Sequence, residues 1–150
     1  MANLYSSGRA NYERRPDLAE VISPELYERG RQLAMRLASD ERSAVVLHGD
    51  LTPANILHGG QKRGLVAIDP APYVGDPAFD AIDLVLWQAD HFEIVEARAA
   101  RFAPFLDIDT PRLLDWCAAF AAMNALELAE ASTDHPHGVD FLVALATDGI

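Results

Sequence analysis

The chain has 150 residues, half of them apolar, which is enough for one sizeable core and gives no reason to expect two. Its formal charge of −11 disfavours nucleic acid and acidic membranes as partners and favours cationic ligands or divalent metals. The acidic excess is confined to one part: residues 1–42 set seven Arg against seven Asp or Glu, whereas residues 43–150 set five Lys or Arg against sixteen acids.

Ser23-Pro24-Glu25 predicts a helix start, with Ser23 as N-cap and Pro24 at the first helical position. Leu26, Gly30, Leu33, Ala34, Leu37 and Ala38 then share one face, Glu25 and Arg29 pair outside, and the helix ends near Ser39-Asp40. The period changes at Ala44-Val45-Val46-Leu47, a short β-branched run that leads into His48-Gly49-Asp50. Asn55-Ile56-Leu57-His58 and Leu65-Val66-Ala67-Ile68 read as strands joined by a turn-forming loop over 59–64, a hairpin that ends at Asp69. After a Pro/Gly-rich connection, Asp76-Pro77 repeats the cap-and-proline signal, and Phe79, Ile82, Leu86 and Trp87 give an apolar stripe to about residue 88. Further helices are expected at about 91–103, about 111–131 and about 139–147. The second of these has Thr110 as N-cap and a stripe of Leu113, Cys117, Phe120, Asn124 and Leu128. Trp87, Trp116 and Phe120 are expected in the core, and Cys117, the only cysteine, is expected to be a buried, inert thiol. The order of elements predicts an α+β fold over residues 1–150, a short catalytic hairpin laid on a helical bundle. No stretch has signal-peptide character, and the run Trp116 to Leu126 is too short to cross a bilayer, so a cytoplasmic location is expected.

The string from Leu47 to Leu57 contains His-x-Asp-x-x-x-x-Asn, and Asp69 closes the hairpin that begins at Asn55. Phosphoryl transfer needs these parts. A carboxylate must accept the proton of the attacking hydroxyl, a task suited to Asp50, and hard oxygen donors must hold the Mg²⁺ that neutralises the triphosphate, a task suited to Asn55 and Asp69. A short loop containing Pro53 turns Asp50 and Asn55 toward one cavity, and the antiparallel hairpin returns Asp69 beside its own start. His48 reads as scaffold, its ring hydrogen-bonding backbone to hold the loop.

His48-Gly49-Asp50-Leu51-x-Pro53-x-Asn55-Ile56-Leu57, Gly64 to Pro70 and Val74-Gly75-Asp76-Pro77-Ala78-Phe79-Asp80 together resemble the C-terminal lobe of the aminoglycoside phosphotransferases. The likeness is greatest to the streptomycin 6-phosphotransferase and hydroxyurea-resistance kinase branch, and runs from about residue 15 to the end. It implies a protein-kinase-like fold, ATP with Mg²⁺ as phosphoryl donor and a cationic aminoglycoside as acceptor. It also implies Asp50 as base and Asn55 with Asp69 as metal ligands. Thr52 and Ala54 replace the His and Gly usual in the family's string, which bears on loop detail. Asp80 matches the acid that anchors the catalytic loop in kinase folds, and equally reads as an acid favourable to the dipole of its own helix.

Only 47 residues precede His48, the nine glycines form no Gly-x-Gly, and the only lysine, Lys62, lies in the hairpin turn. The expectation is a chain without a nucleotide-clamping N-terminal lobe, weakly active or inactive alone, with an apolar surface prone to self-association. The alternative from a different class is a non-catalytic module whose acidic helices, through Glu127, Glu130, Asp134 and Asp140, hold a polycationic small molecule. Asp107-Ile108-Asp109-Thr110 resembles a phosphatase nucleophile string, but Pro104 and the helix signal Thr110-Pro111 argue against the strand it needs. His135-Pro136-His137 with Asp134 reads as a turn rather than a metal site.

Overall fold

The computed structural model describes residues 12–40, 44–131 and 138–149. Helices dominate, in the order α1 (Leu18–Val21), α2 (Pro24–Ser39), α3 (Ile82–Leu86), α4 (Phe92–Phe102), α5 (Thr110–Ala131) and α6 (Val139–Asp148). Between α2 and α3 lie four three-residue strands, β1 (Val45–Leu47), β2 (Ile56–His58), β3 (Leu65–Ala67) and β4 (Tyr73–Gly75). Two 3₁₀ turns, Pro53–Asn55 and Pro77–Ala81, complete this middle section.

The bundle is organised around α5. Its hydrophobic residues run nearly all the way round, because α2, α3, α4 and α6 pack against different sides of it. Trp116, Cys117, Ala121, Ala125 and Leu126 are at most 1 % exposed, so Cys117 is buried as expected, and burial pushes its thiol well above the ordinary range. The α2–α5 approach is so close that a Cβ on Gly30 would stand 2.5 Å from the carbonyl oxygen of Ala119. That contact, rather than any turn, explains a glycine in mid-helix. The predicted cap of α2 is present, with Ser23 Oγ accepting from Leu26 N–H at 3.1 Å. Arg29 does not pair with Glu25; its guanidinium instead donates to the carbonyls of Ala146 and Thr147, tying α2 to the end of α6.

The strands form two separate antiparallel pairs. β2 and β3 make the expected hairpin, with Ile56 opposite Ala67 and His58 opposite Leu65. β1 pairs with β4, Leu47 opposite Tyr73 and Val45 opposite Gly75. Sequence reasoning reads the β4 segment only as a Pro/Gly-rich connection. The outer faces of these strands carry Val46, Leu65 and Val74, all more than two-thirds exposed.

Candidate active site

One carboxylate holds the loop that follows β1. Asp80, on the second 3₁₀ turn, accepts the backbone N–H of His48 at 2.7 Å and of Gly49 at 2.9 Å. Of the two readings of Asp80, loop anchor is the one its bonds support. It is Asp76, not Asp80, that caps the turn, accepting from Ala78 N–H at 2.9 Å. Gly49 has φ +82°, and a Cβ there would stand 2.0 Å from the Ala71 carbonyl oxygen, so only glycine fits. The ring bond expected of His48 is not formed: both ring nitrogens are buried without a partner, and the loop is held through this residue's backbone.

Beyond Gly49 the chain turns through Pro53–Asn55, and the Asn55 amide returns to donate to both the carbonyl and the carboxylate of Asp50, each at 2.8 Å. The amino end of Asn55 is thereby spent. Among the described residues, its side-chain carbonyl oxygen and the second Asp50 carboxylate oxygen stay uncommitted. The backbone is fixed on both sides of Asp69, since Ile68 N–H donates to the backbone carbonyl of Asn55 and Ala71 N–H to the backbone carbonyl of His48, each at 2.9 Å. The φ of +56° at Asp69 is a left-handed conformation that Asp tolerates better than most side chains. Asp50 and Asn55 are thus in direct contact at one rim of the molecule, and the backbone on either side of Asp69 is bonded to that of Asn55 and His48.

Behind this rim lies a buried hub that sequence reasoning missed. The second oxygen of Asp76 accepts from Arg112 Nε at 2.7 Å and Trp116 Nε1 at 2.9 Å. Arg112, only 7 % exposed, also donates to Asp40 at 2.9 Å and to the Leu37 carbonyl at 3.3 Å. The hub thus ties the turn carrying Asp80 to α2 and α5.

A cavity of about 650 Å³ opens beside the loop. Asp50 lines it, as do Phe79, Asp83 and Trp87 from one side and Phe120, Asn124, Glu127 and Leu128 from α5, whereas Asn55 and Asp69 lie outside it. Asp50 thus lines the cavity and is at the same time held by Asn55, which lies outside it. Burial raises the Asp83 carboxyl above the ordinary range, and the nearby Asp50 charge adds to this while a hydrogen bond with Asn124 opposes it. Desolvation similarly raises Glu127, with Asp83 and Glu130 adding to it. Such a wall gains from a cation. Of the acids expected to line a cationic pocket only Glu127 does so; Glu130 and Asp140 are not part of the wall, and Asp134 lies outside the described residues.

Asp83 was not singled out from the sequence, although it stands four residues after Phe79 and four before Trp87, on the same helical face. Trp87 is a correction. It is 52 % exposed rather than core, while Trp116 and Phe120 are buried as expected. Asp107 and Asp109 follow a 3₁₀ turn, not a strand, and Asp109 accepts Arg112 N–H at 2.7 Å, serving as the cap expected of Thr110. The phosphatase reading has no strand to stand on. His135 and His137 lie outside the described residues.

Residues 4–132 match the family model of the aminoglycoside/hydroxyurea antibiotic resistance kinases. The chain belongs to this family. A curated protein similar to this chain is streptomycin 6-kinase of Streptomyces glaucescens, 32 % identical over a match that covers 61 % of this chain and 35 % of the relative. The chain spans about a third of the length of that relative. No solved structure matches. His48, Asp50, Asn55, Asp69 and Asp80 all fall inside the family match. Among the described residues, no helix is long and apolar enough to cross a membrane.

Proposed function

We propose that the chain is the catalytic part of an ATP-dependent phosphotransferase that phosphorylates a hydroxyl of an aminoglycoside such as streptomycin. The observation that carries this reading is the doubled hydrogen bond from Asn55 to Asp50, with Asp69 held next to it by backbone bonds on both sides. Asp50 is the base that accepts the hydroxyl proton as the new phosphorus–oxygen bond forms. Its contact with Asn55 orients the carboxylate, and the acidic cavity on its other side suits a polycationic acceptor.

Asn55 and Asp69 are the residues for the metal. An amide carbonyl and a carboxylate are hard oxygen donors, which Mg²⁺ prefers, and this ion commonly takes only one or two protein ligands besides water and phosphate. The fit is to that sparse mode, since among the described residues no three His, Cys, Asp or Glu side chains gather as a cage. Mg²⁺ with ATP, when bound, supplies the phosphoryl group and neutralises its charge. The mainly helical body with a small hairpin at the site supports assignment to the C-terminal lobe of a protein-kinase-like fold. Lys62 is exposed on the hairpin turn and no Gly-x-Gly occurs, so the polypeptide of these 150 residues is expected to bind nucleotide weakly and turn over slowly.

The test is transfer of label from γ-labelled ATP to streptomycin with the chain in excess over substrate. Slow transfer that disappears in Asp50→Asn is expected. Equal transfer by the two proteins would overturn the role of Asp50.

A further inference from the structure

Trp87 occupies a position where an aromatic side chain forgoes what it ordinarily gains. Ile82, Val85 and Leu86, just before it, are buried, yet the indole is 52 % exposed. The backbone forces this. Helix α3 stops at Leu86, Trp87 takes φ −52° and ψ 115°, and Gln88 follows with φ +50°, a left-handed conformation. Arg98 fastens the turn by donating to the Val85 carbonyl at 2.9 Å and to the Trp87 carbonyl at 2.5 Å. The indole is thus held out of the core, as a wall of the cavity that Asp50 also lines.

The chemistry of the remaining wall completes the case. Asp83 lies one helical turn before Trp87 and accepts its N–H through the backbone at 3.0 Å, and Glu127 and Leu128 come from α5. A fixed aromatic face next to two carboxylates matches a saturated ring bearing ammonium or guanidinium groups. The ring's C–H face lies against the indole, and its cations are drawn both to the indole's negative face and to the acids. We propose that Trp87 is the platform on which the acceptor rests, with its cationic groups toward Asp83 and Glu127 and a hydroxyl toward Asp50. The inference rests on the phosphotransferase reading and names the residues that select its acceptor.

Calorimetric titration of the full chain with streptomycin tests it, together with acrylamide quenching of tryptophan fluorescence. Trp116 is fully buried, so quenching reports Trp87. Streptomycin is expected to shield the indole from acrylamide. Trp87→Ala is expected to weaken binding about tenfold, and Trp87→Phe to retain most of it. Phe105→Ala, an 85 % exposed aromatic outside the cavity wall, should bind as the parent does. Unchanged affinity in Trp87→Ala, or no shielding, overturns the platform, and so does failure of the parent chain to bind streptomycin. Binding of Mn²⁺·ATP that is lost in Asp69→Asn would, in those cases, leave the phosphotransferase reading standing. Trp87-dependent binding without Asp69-dependent Mn²⁺·ATP binding would fell that reading and keep the platform.

Discussion

Removing the Asp80 carboxylate separates two physical roles by size. In Asp80→Ala the N–H groups of His48 and Gly49, held at 2.7 and 2.9 Å, lose their acceptor. A hydrogen bond to a charged group contributes about 1.5–3 kcal/mol, so losing the pair should cost about 3–6 kcal/mol of folding stability. Asp80→Asn keeps one acceptor oxygen but turns an amide N–H toward the second donor, and should cost about 2–3 kcal/mol. An acid that merely favours its helix dipole would be worth only about 0.3–1 kcal/mol. Urea unfolding of the parent and both variants at neutral pH measures the difference, and amide exchange at Gly49 localises it, since that proton should lose its protection. A loss below about 1 kcal/mol in both variants, with Gly49 still protected, would refute the anchoring role.

Arg112→Ala leaves the Asp76 carboxylate, 8 % exposed, without its cation, and should cost about 3–5 kcal/mol in thermal or urea unfolding. The double variant Asp76→Asn/Arg112→Met, which buries no lone charge, should recover much of that loss. Gly49→Ala combines a left-handed backbone with a Cβ 2.0 Å from the Ala71 oxygen, and a loss of about 2–5 kcal/mol is expected from strain and overlap together; a loss under about 1 kcal/mol would contradict the packing. Asp83 and Glu127 have raised carboxyls in the folded chain, so from about pH 4 up through their raised values the folded state holds more protons than the unfolded one. Their contribution to stability therefore falls as pH rises through that window. Asp83→Asn/Glu127→Gln should match the parent below the window and exceed it above, which urea midpoints across pH 3–8 can check.

The helices were the most legible part of the sequence. Ser23-Pro24 and the apolar periodicities placed α2, α4, α5 and α6 to within a residue or two, because local capping and one-sided burial decide such elements. Strand β4 was not legible. Tyr73-Val74-Gly75 is three residues long, follows Pro70 and Pro72, and becomes a strand only because β1, far back in the chain, offers it partners. Trp87 misled for a related reason: its stripe continues in sequence one residue past the end of the helix, and the turn fixed by Arg98 moves the side chain out of the core. Within the candidate site, the contact of Asn55 with Asp50 and the hairpin that ends before Asp69 could be read from spacing, because a tight turn and a short loop connect them. The Asp76 hub could not, since Arg112 and Trp116 stand 36 and 40 residues away and nothing local marks the pairing.

The proposed catalysis rests on residues 50, 55 and 69 sharing one metal-bound phosphate, and a paramagnetic ion tests that directly. With Mn²⁺ and ATP added to isotope-labelled chain, the amide signals of Gly49, Asp50, Asn55 and Asp69 should broaden first, and Asp69→Asn should abolish the effect. Broadening centred instead on Asp83 and Glu127, or unchanged by Asp69→Asn, would contradict a metal-bound phosphate at this rim.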